Sequence, residues 1–80
     1  MCLALPAEVV SIDRANDTAI VTLGPVKKEI SIALLDDLAP GDFVLVHVGF
    51  ALHKLSPEEA ERTLALIRQS GEDPLEEFAA

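Results

Sequence analysis

The chain has 80 residues, half of them hydrophobic, with 14 acids against 6 bases and a formal net charge of −8. A chain this short buries only about 60–65% of the surface its unfolded form exposes, so one small core is the limit and a single domain over residues 1–80 is expected. The acidic balance argues against nucleic acid as a partner, because Lys and Arg drive phosphate-backbone binding by displacing counterions, and no run approaches the roughly 18 uncharged apolar residues of a membrane span.

The chain opens on Met1-Cys2-Leu3-Ala4-Leu5-Pro6-Ala7, which holds its one cysteine. The small side chain of Cys2 favours removal of Met1, which would leave an amine and a thiol on adjacent carbons. Their reference pKa values are about 7.7–8.0 and 8.5, so the pair could bind a metal or act as a nucleophile. The alternative is a small buried hydrophobe at the start of a strand. One cysteine excludes an internal disulfide and fits a reducing compartment. No basic stretch followed by an apolar one marks a signal peptide, so the sequence reads as that of a soluble, cytoplasmic protein.

Short strands follow. Val9-Val10-Ser11-Ile12 is β-branched and stops at the polar turn Asp13-Arg14-Ala15-Asn16-Asp17. Thr18 to Leu23 is a second strand, closed by Gly24-Pro25. From Val26 to Leu34 one parity is mostly apolar and the other polar, which predicts a half-buried strand. Leu35 to Asp42 reads as a loop with Pro40-Gly41-Asp42 as its turn. Phe43 to Val48 is apolar on both parities and predicts the central, most buried strand. Gly49 marks a bend, and Phe50 to Leu55 a last short strand.

Ser56-Pro57-Glu58-Glu59 is a helix start, with Ser56 as cap, Pro57 in the first turn and Glu59 completing a capping box. Ala60, Leu64 and Ile67 share one face, and Gly71 is a C-terminal stop. Asp73-Pro74-Leu75-Glu76 starts a final short helix whose Leu75 and Phe78 dock on the body. Seven of the 14 acids lie between Glu58 and Glu77, a pattern that serves a solvated helical face or a partner-facing patch.

The expected fold is mainly β: a small OB-like β-barrel of four to five strands, over about residues 3–55, with a C-terminal α-helical segment over about 57–79. Closure protects edges that an open sheet would expose. A small open sheet covered by the helix is the alternative.

The polar inventory for chemistry is thin: Cys2, His47 and His53, with no phosphate-binding glycine loop, C-x-x-C or H-E-x-x-H. His47 interrupts an apolar strand on the parity of Phe43 and Leu45. It reads either as a core histidine satisfied by a backbone carbonyl or as a metal ligand. His53, beside Lys54, reads as a surface residue. A thiolate and an imidazole together can hold iron, but two donors fall short of a closed four-ligand site. Such an open site suits temporary holding and transfer.

The opening Met1-Cys2-Leu3-Ala4-Leu5-Pro6-Ala7 and the block Pro40-Gly41-Asp42-Phe43-Val44-Leu45-Val46-His47-Val48-Gly49-Phe50-Ala51 together resemble the HypC/HupF family of NiFe-hydrogenase assembly chaperones. The acidic helix start from Ser56 to Ala60 extends the likeness. The resemblance implies a protein that is not an enzyme. It implies partnership with a HypD-type iron–sulfur scaffold protein, and with the NiFe-hydrogenase large-subunit precursor. It implies a cargo, an iron–dicyanide–carbonyl fragment, Fe(CN)2CO, held in passing with no permanent cofactor. Cys2 and His47 are the implied iron ligands, and Cys2, Leu3, Pro6, His47, Gly49 and Phe50 the implied partner contacts. Nothing carries over to His53.

Two other readings remain at this stage. An OB-type module for other ligands, nucleic acid included, would need a basic groove and stacking aromatics, where this chain offers three phenylalanines and a net charge of −8. An enzyme with Cys2 as nucleophile would need a nearby base and an oxyanion site, and only His47 is available as a base.

Overall fold

The computed structural model describes residues 4–71 and 73–79. Five strands come first: β1 (Leu5–Asp13), β2 (Thr18–Leu23), β3 (Val26–Ser31), β4 (Phe43–His47) and β5 (Phe50–Leu55). Two helices follow, α1 (Pro57–Gln69) and α2 (Pro74–Ala79). The strands close into a barrel in the order β1-β2-β3-β5-β4, with β4 returning to β1. Every neighbouring pair is antiparallel except β3 and β5, which meet in parallel at Ser31 and Phe50. The mainly β barrel expected from the sequence is the fold observed, and the open-sheet alternative is not.

β1 is longer than its β-branched run because it serves two partners. Leu5 to Glu8 pair with β4, and from Glu8 onward the strand pairs with β2. A bulge at Val10 lets it turn from one to the other. Pro6 is tolerated because pairing with β2 begins only at Glu8. The loop before β4 adds two bonds: the Val9 N–H donates to the Asp42 carbonyl at 2.8 Å, and the Gly41 N–H to the Val9 carbonyl at 2.8 Å.

The core is the inward row of each strand. Leu5, Ala7 and Val9 of β1 meet Ala19, Val21 and Leu23 of β2, Ile30 of β3, Val44 and Val46 of β4, and Ala51 of β5. Two sequence expectations need correcting here. β4 is not buried on both faces: Val44 and Val46 point inward, while Phe43, Leu45 and His47 form a half-buried outer row. β3 ends at Ser31 rather than Leu34. The chain turns there because the Ile32 N–H donates to the Asp17 carbonyl and the Leu35 N–H to the Ile32 carbonyl. Leu34 is consequently 61% exposed.

The long connection to β4 is fastened to the barrel. The Arg14 guanidinium donates to the carbonyls of Leu35, Asp36 and Leu38 at 3.0–3.3 Å. Lys54 bridges Asp37 and Asp42 at 3.7 and 3.8 Å. Leu38 and Ile32 are buried beneath it.

α1 starts as the sequence predicts. The Ser56 hydroxyl accepts from the Glu59 N–H at 3.1 Å, and the Ser56 N–H donates to the Glu59 carboxylate at 3.2 Å. The helix packs across β1 and β4 with Ala60 and Ile67 buried and Leu64 partly so. It ends at Ser70, with Gly71 at φ +88° beyond. α2 docks on β3: Phe78 is buried, and the Lys28 ammonium donates to its carbonyl at 3.1 Å. Leu75 packs on Gly24, where a side chain would come within 3.0 Å of its methyl group.

Candidate functional site

The site residues gather where β4 ends and turns into β5. His47 is the last residue of β4 and pairs with Phe50, the first of β5. Only Val48 and Gly49 lie between them, at φ +52° and +78°. A two-residue loop with both central φ angles positive is the type I′ hairpin turn, whose twist matches that of the flanking strands. The Ser31 N–H fastens this turn to β3 by donating to the Gly49 carbonyl at 2.8 Å. Gly49 thus makes the expected bend through a left-handed backbone conformation. The bulge of this hairpin falls at Leu52, where the register slips between Leu45–His53 and Val46–Ala51.

Val48 is the unusual member. A β-branched side chain at positive φ is a genuine outlier, and such conformations carry a penalty on the order of 1–3 kcal/mol. Its side chain recovers little by packing, since it is 69% exposed.

His47 lies on the outer row of β4, half-buried. Its Nδ1 is sealed from solvent and has no hydrogen-bond partner among the described residues. The core histidine held by a backbone carbonyl is therefore not what forms. With Nδ1 enclosed, Nε2 is the ring nitrogen left to serve as a donor atom to a metal. Among the described residues, no group bonds Nδ1 to fix which nitrogen carries the proton, a role usually filled in metal-binding histidines by a second hydrogen bond.

The other candidates divide. Phe50, beside His47 across the hairpin, is 45% exposed, and a side chain at Gly49 would meet nothing within 4 Å. Pro6 is less than 2% exposed, so in this fold it supports α1 instead of presenting a surface. It lines a groove of about 330 Å³ under Ala60 and Leu64, away from His47. Cys2 and Leu3 lie outside the described residues. Leu5 pairs with Val46, so Ala4 emerges beside the end of β4 that carries His47. His53 is exposed on β5. Among the described residues, no group of three or more His, Cys, Asp or Glu side chains is gathered for a metal ion.

Val48 and Ser31, which shape and fasten the turn, are not marked by any side-chain motif in the sequence. The signal for the turn was present: two residues between paired strands with glycine second is a type I′ pattern. Valine in the first position, in place of Asn or Asp, hid it. The role of Ser31 is carried by its backbone N–H, which no side-chain motif records.

Among the described residues, no helix is long and apolar enough to cross a membrane. The model of a family described as HupF/HypC matches residues 1–67. The chain is 55% identical over 69 residues to the hydrogenase maturation factor HypC of Rhizobium leguminosarum bv. viciae, covering 86% of this chain and 91% of that one. It is 51% identical over 69 residues to the HypC of Cupriavidus necator, covering 86% and 76%. It is 35% identical over 78 residues to the hydrogenase maturation factor HybG of Escherichia coli K12, covering 91% and 95%.

Proposed function

The chain belongs to the HupF/HypC family, and from that membership we propose how it works as an assembly chaperone. It is a hydrogenase maturation factor and not an enzyme. The finer reading is that it partners a HypD-type iron–sulfur scaffold protein, holds the Fe(CN)2CO fragment through Cys2 with His47 beside it, and delivers that fragment to the NiFe-hydrogenase large-subunit precursor.

The observation that carries this reading is the placement of His47. It is a half-buried imidazole at a barrel edge, with Nδ1 enclosed and without a hydrogen-bond partner among the described residues. Covalent geometry supports Cys2 as the second donor. Consecutive Cα atoms are about 3.8 Å apart, so two peptide links keep the Cα of Cys2 within about 7.6 Å of that of Ala4. Ala4 leaves β1 at the His47 end of β4.

The chemistry needs little more from the protein. Cyanide and carbon monoxide occupy several iron positions themselves, so one or two protein donors suffice. The iron can then pass to cysteine thiolates of a recipient, each new iron–sulfur bond replacing the bond to the Cys2 thiolate or the His47 imidazole, while its bonds to cyanide and carbon monoxide stay intact. A site of this kind keeps positions open, unlike a closed four-ligand structural site.

The test is anaerobic co-purification of the chain with its scaffold partner, read by infrared spectroscopy. Wild type carries the cyanide and carbon monoxide bands. Cys2→Ala loses them to background while its thermal melt is unchanged, and His47→Ala retains a reduced fraction. Bands of undiminished intensity in Cys2→Ala would remove Cys2 from the site.

A further inference from the structure

We propose that Phe78 is a positioning residue for the iron-holding turn: docked on β3, it keeps Ser31 in place, and Ser31 keeps the His47 turn in place. The proposal rests on the chaperone reading above for the iron group, and on the fold for the mechanical link.

The link starts at the narrowest closure of the barrel. β3 and β5 run parallel and overlap only at their ends, where Ser31, the last residue of β3, pairs with Phe50, the first of β5. The other neighbouring strands pair over several residues. From the junction β3 extends back and β5 extends forward, so each leaves an edge that something else must cover. β5 is tied to the connecting loop by Lys54, which bridges Asp37 and Asp42. β3 is covered by α2.

The grip of α2 runs along β3 toward Ser31. Leu75 packs on Gly24, in the turn that precedes the strand. The Lys28 ammonium donates to the Phe78 carbonyl at 3.1 Å and lies 5.9 Å from the centre of its ring. Phe78 is 3% exposed and shares the apolar cluster of Ile30, the neighbour of Ser31. A helix of six residues is not stable alone, so α2 holds its shape only by docking. It lies beyond the residues matched by the family model, so the role is assigned to this chain and not to the family.

The His47 turn is where that grip is felt. Toward β3 the turn is fastened by the Ser31 N–H, which donates to the Gly49 carbonyl at 2.8 Å. Segments with few such fastenings open first. Without the Phe78 ring, the edge of β3 beside Ser31 is uncovered and the seam opens more often. Each opening moves Gly49, two residues from His47, and with it the imidazole that faces Cys2 across the iron. Coupling of this kind is reciprocal. An iron group bound through Cys2 and His47 holds the turn, and so slows the opening of α2.

The test compares Phe78→Ala, Phe78→Leu and Val9→Ala, each at a fixed interval below its own melting temperature. Val9→Ala is a truncation in the β1 part of the core and controls for general loosening. In the free chain, amide exchange at Ser31 is at least about fivefold faster in Phe78→Ala. It is close to wild type in Phe78→Leu and in Val9→Ala. In the anaerobic complex with the scaffold, the cyanide and carbon monoxide bands decay faster by a similar factor in Phe78→Ala alone. In the wild-type complex, the amides of α2 exchange more slowly with the iron group than after its removal by a chelator. Equal exchange at Ser31 in Phe78→Ala and Val9→Ala would overturn the proposal and leave Phe78 as a core residue only. Faster exchange at Ser31 with bands that decay at the wild-type rate would overturn it equally, as would α2 amides indifferent to the iron. Absence of the bands from wild type sinks the chaperone reading, and the iron part of this proposal with it, while the exchange at Ser31 still reports on the link between α2 and the turn.

Discussion

His47 shows how far one residue's chemistry depends on which face of a strand it occupies. The sequence placed it on the parity of Phe43 and Leu45, and that parity is the half-buried outer row of β4. The sequence could not show that this row lies outside the barrel, because Val44-Leu45-Val46 is apolar on both parities. Nor could it show that Nδ1 would be enclosed without a partner. An unpaired buried polar atom is unfavourable by about 1–3 kcal/mol. His47→Leu removes that atom and breaks no hydrogen bond among the described residues, so the variant should melt at or above the wild-type temperature while retaining only a reduced fraction of the iron group. A clear fall in melting temperature would mean that the imidazole has a structural partner after all. Pro6 is the opposite case: a residue in a recognisable motif whose burial under α1 makes it a support for the fold.

At the scale of elements, the sequence was most legible where local chemistry decides the outcome. Ser56, Pro57 and Glu59 fix the start of α1 through short-range hydrogen bonds, and the capping box forms as read. The Asp13–Asp17 turn is likewise local, with the Asp13 carboxylate accepting from the Ala15 N–H and from the Asn16 side chain. Element ends are illegible in the sequence where a distant segment decides. β3 stops early because Asp17 takes the Ile32 N–H, and β1 starts early because β4 covers it. The capping box also carries a pH dependence. The Glu59 carboxyl is held below its ordinary range, chiefly by the hydrogen bond from the Ser56 backbone and then by the Ser56 side chain, with Arg62 adding a smaller attraction. A lowered folded value means that the stabilisation is fully present above the ordinary glutamate range, about 4.3, and is lost as pH falls through the lower folded value. Glu59→Gln keeps the shape without the charge. It should therefore melt below wild type at neutral pH, and the gap should close in acid. A gap that stays constant from pH 7 to pH 3 would show that the charge on Glu59 contributes nothing.

At the scale of the whole molecule, two dockings complete a barrel too small to rely on its own core. One is the seam between β3 and β5, where the parallel pairing is confined to Ser31 and Phe50 and is reinforced by the Ser31–Gly49 bond. The other is α2, which lies beyond the residues matched by the family model. Phe78 is 3% exposed and joins the same apolar cluster as Leu5, Val21 and Ile30. The Lys28 ammonium sits 5.9 Å from the centre of its ring and also bonds its carbonyl, so β3 grips α2 by both side chain and backbone. An 80-residue domain has roughly 4–12 kcal/mol of total stability. Phe78→Ala should remove about 3 kcal/mol of it, the lower end for such a truncation, because the end of a short helix can shift to fill part of the space. Urea titration should show a lower midpoint with an unchanged slope, since the loss falls on a single cooperative unit. A midpoint equal to wild type would mean that α2 folds against the barrel without stabilising it. Because α2 grips β3 and the Ser31 end of β3 fastens the His47 turn, the same variant should also speed amide exchange at Ser31. That would link the end of the chain to the candidate site through one strand.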